Sequence, residues 1–480
     1  MSDRQGPANA MKRIGLPLES YQHPSPPLSA KRLLNMMAEQ QPDDARSTAA
    51  LVPTPGLTLW DTIGPGPIRA FNSDLPSYIY LISGDQFYRI QFGPGGTRTT
   101  TNIGTVGTPE VLFPFQDFCT IAVSPEAAVA CVPPNAFTCT HAGLANQLGG
   151  TFPGNASSVT WFDGYFVFTD LVNAQNFFIS RLSDPTDYDA LDFASPTEGF
   201  PNSVTKVLTL GANLWFLGYS GIEIWYDAGA ADFPFRRMSG GLLQRSVATP
   251  RGAVIADGSV FWVTVDGMVM RSVGYQPKRL STHAIEEILR AIGVTAIVSA
   301  VAYVQRGHTF YAINFPDRTL VYDCATDKWH ERASDYDGAS RWRPDACARN
   351  TENPLLGDYQ TGQIWEADPF SNHDADIVML RSLTLPPLWA GTARAFCARV
   401  EVEMETGALG NPSEVFLSWS DDGGRTTAIN RSLTSGSDGA FRKRVVATRL
   451  GSFRERIFTL SCHGELTVYA IDADIAGGAW

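Results

Sequence analysis

Charge is scarce in this chain of 480 residues: Asp, Glu, Lys and Arg make up only 18%, against 44% hydrophobic residues. That balance excludes an intrinsically disordered polymer. Cysteine is scarcer, with seven residues at 119, 131, 139, 324, 347, 397 and 462 and no CxxC or Cys/His finger spacing. The pattern argues against a disulfide framework or a zinc site and leaves buried thiols on strands. No apolar run approaches the roughly 20 residues that span a bilayer, so no membrane-spanning segment is expected. The first residues lack the hydrophobic stretch of a secretory signal, which points to maturation in a cytosol.

What is abundant is turn and strand material: 43 Gly, 31 Pro, 27 Phe, 15 Tyr and 11 Trp. Short β-branched or aromatic runs flank a Gly or Asp turn five times, roughly every 45–52 residues. They are Trp161-Phe-Asp-Gly-Tyr-Phe-Val-Phe168, Leu210-Gly-Ala-Asn-Leu-Trp-Phe216, Val254-Ile-Ala-Asp-Gly-Ser-Val-Phe-Trp-Val263, Gln305-Arg-Gly-His-Thr-Phe-Tyr311 and Leu356-Gly-Asp-Tyr-Gln-Thr-Gly-Gln-Ile-Trp365. A hairpin returning at that period is the trace of a β-propeller blade, which takes roughly 40–50 residues for four strands. Fainter candidates precede them near Leu81 to Tyr88 and from Cys119 to Cys131, giving six or seven blades.

Three regions follow. Residues 1–50 carry no strand pattern and read as an extended N-terminal arm, in which residues 28–40 could form one or two amphipathic turns. Residues 51–375 form the propeller. Within it one helix is expected near 281–292, capped by Ser281 or Thr282, with Ile285, Ile288, Leu289 and Ile292 as its packing stripe. Glu286, Glu287 and Arg290 fall on its other face. Residues 376–480 hold five strand candidates at shorter spacing, the pattern of a β-sandwich. Strict alternation from Val400 to Glu405 puts Val400, Val402 and Met404 on the core side and Glu401, Glu403 and Glu405 on the other. The fold class is therefore all-β.

Motifs of chemistry are thin. Ser420-Asp-Asp-Gly-Gly-Arg-Thr426 fits the Asp-box S-x-D-x-G-x-T, with Thr427 where an aromatic is usual, and a single copy reads as a hairpin turn. Asp184, Asp187, Asp189 and Asp192 cluster without the Gly and Glu of a calcium loop, and Asp335-Tyr-Asp-Gly338 is equally incomplete. Both read as solvated loops. No G-x-S-x-G elbow, phosphate loop or H-E-x-x-H pair is present, and His308 and His330 stand apart on separate strands. The tryptophans at 161, 215, 225, 262, 329 and 365 sit in alternating runs, where packing between blades would use them. No catalytic residue, metal ligand or cofactor is assigned.

The net charge of −12 argues against a general nucleic-acid grip. One stretch departs from it: Arg425, Arg431, Arg442, Lys443, Arg444, Arg449, Arg454 and Arg456 face only Asp438 and Glu455. A basic island in an acidic protein suits contacts with other chains. The interface candidates are Asn35 and Glu39 in the arm, Glu401, Glu403 and Glu405 on the strand face, and Arg442, Lys443, Arg444, Arg449, Arg454 and Arg456.

The chain resembles the packaged-DNA stabilisation proteins of short-tailed bacteriophages, also called tail hub or nozzle proteins. The resemblance runs from about residue 9 to the C-terminus. It is carried by Ser29-Ala-Lys-Arg-Leu-Leu-Asn-Met-Met-Ala-Glu39 with Thr54-Pro-Gly-Leu57, then by Arg181-Leu-Ser-Asp-Pro-Thr-Asp-Tyr-Asp-Ala-Leu-Asp-Phe-Ala194 and Gly221-Ile-Glu-Ile-Trp-Tyr-Asp-Ala-Gly229. Phe233-Pro-Phe-Arg-Arg237 and Thr319-Leu-Val-Tyr-Asp323 with Trp329 complete it. It implies a structural virion protein without an active site, assembled in the host cytoplasm as a hexameric ring in the tail. Head-to-tail adaptor and portal proteins would lie above it and a needle, spike or fibre protein below. Double-stranded DNA would pass through the lumen without sequence-specific binding. The competing readings are a propeller-fold glycosidase or sialidase, a carbohydrate-binding protein, and a generic propeller scaffold. A glycosidase would need convergent carboxylates and an Arg cluster at the propeller's centre.

Overall fold

The computed structural model describes residues 11–42, 49–109, 118–196, 203–348, 353–408, 412, 414–427 and 429–477. Among the described residues seven four-stranded antiparallel units succeed one another along the chain. Blades 1 to 6 occupy 68–105, 120–147, 156–194, 204–243, 254–279 and 299–332. Blade 7 takes three strands, Pro344–Ala348, Leu355–Asp358 and Gln363–Asp368, and borrows its outer strand, Gly56–Thr62, from the N-terminal side. That borrowed strand closes the circle, and the inner strand of blade 7 then lies against that of blade 1.

The expected hairpins are the first and second strands of blades 3 to 6. Each turns at residues held at positive φ, such as Asp163–Gly164, Asp257–Gly258 and Arg306–Gly307, the backbone that tight two-residue hairpins require. The fifth hairpin, 356–365, joins instead the second and third strands of blade 7. Its spacing mimics the repeat although its place in the blade is shifted by one strand. Between blades the core is apolar: Trp215 and Trp262 meet between blades 4 and 5, and Trp225 joins Phe177 and Phe216 between blades 3 and 4.

The helix forms at His283–Ile292, capped by Thr282, whose hydroxyl accepts from the Ile285 amide at 3.5 Å. Ile285 and Leu289 are buried against blades 5 and 6. Glu286 departs from its expected face. It is buried and accepts hydrogen bonds from Ser281 at 2.7 Å and Arg279 at 2.6 Å, so a helix-initiating loop draws it inward. Among the described residues no helix is long and apolar enough to cross a membrane.

The N-terminal segment is where expectation and structure part. Strands Ala30–Leu34 and Met36–Gln40 stand where helical turns were expected. Ala30–Leu34 pairs with Leu380–Thr384 in one sheet of the sandwich, and Met36–Gln40 pairs with Ala49–Pro53 in the other. Lys12–Ile14 adds to the edge of Val468–Gly477. Ile14, Leu33, Met36, Ala38 and Leu51 lie in the same core as Val400, Val402, Leu417 and Phe458. The segment expected to be a separate arm is thus part of the sandwich, and the propeller is an insertion between two halves of it. The alternation read from 400 to 405 holds, with Val400, Val402 and Met404 buried.

Candidate interaction surfaces and the joint between the domains

Where the chain crosses from one sandwich sheet to the other, it turns on Asn35, which is fully buried at φ 53°. Its amide nitrogen donates to the carbonyls of Ala333 (3.0 Å) and Leu380 (2.9 Å), and its side-chain oxygen accepts from the Ala333 amide at 3.1 Å. One residue thereby joins the N-terminal strand, the exit of blade 6 and the strand that opens the C-terminal half. Asn35 is therefore an internal pivot, and burial removes it from the surface candidates.

Around it lie buried charges. Arg381 donates to the carbonyls of Asn35 (2.8 Å), Thr54 (3.0 Å) and Gly464 (2.7 Å). Burial pulls its pKa down to about 10, so it stays a cation at neutral pH. Arg332, equally buried, donates to the Pro55 carbonyl and lies over the Trp342 ring at 4.0 Å. Asp374 completes the set. Burial raises its pKa, while Arg332, Ser334 and Arg381 pull it back. Opposite charges and bonds to fixed backbone carbonyls hold the set, and removing one member leaves a charge in a poor solvent for it.

Glu39 reaches across the same joint. His308 of blade 6 stands between the Glu39 carboxylate (3.2 Å) and the buried Asp323 carboxylate (2.8 Å). The hydrogen bond to Asp323 raises the His308 pKa, helped by both charges and opposed by burial. His330, with no such partner, is held neutral by burial, its pKa lowered to about 3.

The basic island does not form one surface. Arg456 is buried, bidentate to Asp421 at 2.6 Å and packed on Phe453 and Trp419, so it too leaves the surface set. Arg444 is spread over Glu401 at 2.5 and 2.8 Å, and Arg399 bonds the same carboxylate at 2.5 Å. Those bonds lower the Glu401 pKa. Glu403 lies 3.7 Å from Arg13, and Glu405 is part-exposed. The carboxylate face and the island hence neutralise each other partly within one chain. Arg442 and Lys443 are exposed near the far end of the strand Ala395–Met404, whereas Arg449 and Arg454 are exposed at its beginning.

The remaining sequence candidates resolve as local structure. In the Asp-box, Asp422 accepts from the amides of Arg425 and Thr426 at 3.0 Å, and Ser420 accepts from the Gly424 amide at 2.9 Å. Arg181 ties Asp189 and Asp192, and Asp184 caps its own turn at Thr186. Among the described residues no group of three or more His, Cys, Asp or Glu is arranged to hold a metal. The seven cysteines are free. Burial raises the Cys119 and Cys462 thiols to about 12 and Cys139 and Cys397 to about 11.

At the propeller axis the inner strands leave a funnel of about 550 Å³. Arg69, Lys206, Arg251 and Asp345 ring one mouth. Lys206 donates to the carbonyls of Pro250 (3.1 Å) and Ala253 (2.8 Å), and Asp345 is bonded by Arg341 and by Ser299 at 2.5 Å. Sequence reading missed Arg381, although its alternation with Leu383 and Leu385 already put it on the core side of its strand. It also missed two exposed aromatics, Trp389 and Phe396, at the beginning of the C-terminal sandwich.

Comparison with known proteins falls into two kinds. Among solved structures, a streptogramin B lyase aligns at a TM-score of 0.42 and 10% identity, covering 65% of this chain and 96% of that one. The virginiamycin B lyase of Staphylococcus aureus aligns at 0.41 and 12%, covering 69% and 98%. PorZ of Porphyromonas gingivalis aligns at 0.38 and 10%, covering 72% and 45%. No curated protein sequence matches. Family models are the informative kind: the bacteriophage P22 Gp10 β-propeller matches residues 21–370, and the P22 Gp10 β-sandwich matches residues 381–468. The chain belongs to the bacteriophage P22 Gp10 family of phage structural proteins.

Proposed function

We propose that this chain is a tail hub subunit. It forms a hexameric ring below the portal and its adaptor, holds packaged DNA in the head and gives it passage on ejection. The observation that carries the reading, beside family membership, is the buried joint of Asn35, Arg332, Asp374 and Arg381. Directional bonds to backbone carbonyls fix the angle between propeller and sandwich, which suits a part that must hold its shape under the pressure of packed DNA. The axial funnel of one propeller, about 550 Å³, is too small for a duplex. The DNA path in this reading therefore runs between copies, through the hole that cyclic closure leaves. With a net charge of −12, a predominantly acidic wall would let the backbone slide rather than bind. The exposed cations Arg442, Lys443, Arg449 and Arg454 face neighbouring proteins, the adaptor above or another copy.

A non-enzymatic role is supported by the axial mouth, where among the described residues three cations surround one carboxylate, Asp345, already bonded by Arg341 and Ser299. A glycosidase there would require a free acid and base pair.

Removal of this chain from an assembling phage tests the proposal. Heads should fill and then lose their DNA, read as genome made accessible to nuclease, and adding the purified chain should restore retention. Heads that keep their DNA without it would end the reading.

A further inference from the structure

Between the third and outer strands of blade 3 the chain runs for thirteen residues, from Ile179 to Phe193, where blade 5 uses two and blade 6 four. This long loop is built rather than loose. Tyr188, 3% exposed, is driven among Phe152, Phe168 and Phe178, and its hydroxyl donates to the Pro185 carbonyl at 2.8 Å. Its amide donates to Thr151 at 3.1 Å, and Arg181 clamps Asp189 (2.7 Å) and Asp192 (3.0 Å). On that fixed frame Leu182 is 62% exposed and Leu191 81%. Apolar side chains presented on a rigid loop mark an interaction site more than a packing accident. The loop carries four aspartates against one arginine, a local charge of −3.

The opposite chemistry stands on the sandwich. Trp389, 69% exposed, lies opposite Glu455 in register, and Phe396, 52% exposed, lies opposite Ser452. Both aromatics thus border the same short stretch of chain. Arg394 donates to Ser452, Arg454 sits within that stretch, and the Arg449 amide bonds the Ala398 carbonyl. Exposed tryptophan beside arginine is the composition of a binding hot spot. Among the described residues nothing covers either surface.

We infer that these two surfaces meet between copies: the Trp389 and Phe396 end of one sandwich seats on the blade 3 loop of the next subunit. The occupant is a second copy because the cation-rich aromatic patch and the acidic apolar loop are complementary in charge and in kind. Since the two surfaces differ, the contact is heterologous and propagates head to tail until it closes. The inference rests on the ring reading and assigns its contact.

Two full-length variants test it: W389A/F396A, and L182S/L191S. All four positions are exposed, so each variant should keep the wild-type melting curve, and each should weaken self-association by more than about tenfold in sedimentation velocity. Mixed together, the variants should yield pairs and no larger species, because each supplies only one intact surface. Rings that persist in either variant would overturn this contact and leave the ring reading standing. A wild-type chain that stays monomeric at its highest soluble concentration would overturn both. An L182S/L191S variant that assembles normally while W389A/F396A does not would show that the aromatic patch has another partner.

Discussion

Between neighbouring blades the core is apolar, with single hydrogen bonds such as Val207 N–H to Ser158 at its side. Phe177 of blade 3 lies 4.3 Å from Phe216 of blade 4, ring centroid to centroid, and Phe261 of blade 5 lies 5.0 Å from Tyr311 of blade 6. Where the propeller meets the sandwich, Met37 packs among residues of blades 6 and 7, and beside that apolar contact lie two buried arginines, an aspartate and an asparagine. Apolar burial is strong and indifferent to direction, so blades can settle against each other by shape. Hydrogen bonds from a guanidinium to fixed carbonyls are weaker in net terms yet demand one geometry. Blade seams therefore contribute most of the stability, and the joint contributes orientation.

That contrast can be broken from either side. Arg381→Ala removes one of the buried cations near Asp374 and the guanidinium donor to the carbonyls of Asn35, Thr54 and Gly464. It should cost about 3–5 kcal/mol. Calorimetry should then show sandwich and propeller melting separately where the wild type melts once. A single unshifted transition would mean that the joint is not what couples the domains. Phe216→Ala opens a void in a blade seam and should cost about 3–4 kcal/mol in denaturant titration while the two domains still unfold together.

The smallest effect sharpens the comparison through pH. His308 has a raised pKa, so the stability of its bridge between Glu39 and Asp323 is fully present below the ordinary histidine range, about 6.5. It is lost as pH rises through the raised folded value. His330 has the opposite sign: neutral in the fold down to about 3, it favours unfolding as pH falls below about 6.5. Melting temperature followed across mildly acidic to alkaline pH should fall at both ends, and His308→Gln should remove only the alkaline fall. An unchanged alkaline limb in that variant would exclude the bridge as its source.

The propeller was legible because blades 3 to 6 each repeat one local event, a hairpin whose turn residues tolerate positive φ, as at Asp257–Gly258. The sandwich was legible where one strand alternates strictly, as from Val400 to Met404. What stayed hidden depends on distance along the chain. Ala30–Leu34 pairs at its start with nearby Tyr21–Gln22, but Arg32 to Leu34 pair with Leu380–Thr384, about 350 residues away, and nothing local announces that pairing. Asn35 and Arg456 were read as surface groups because polar residues usually are. Both are inside because each has a full set of partners waiting: carbonyls for Asn35, Asp421 and aromatic rings for Arg456. The carboxylates Glu401 and Glu403 were placed on the right face, but their local cationic partners could not be read from the strand that carries them.

Both domains are completed by a strand made early. Gly56–Thr62 gains its blade only when Gln363–Asp368 has been synthesised, and Ala30–Leu34 gains its sheet later still. A nascent chain on the ribosome therefore holds unpaired strand edges through most of translation, and fragments ending before residue 363 have no way to finish the circle. Contacts of such long sequence separation make for slow folding and exposure to aggregation. The producing cell faces a timing constraint: both domains close only after their last strands have been made.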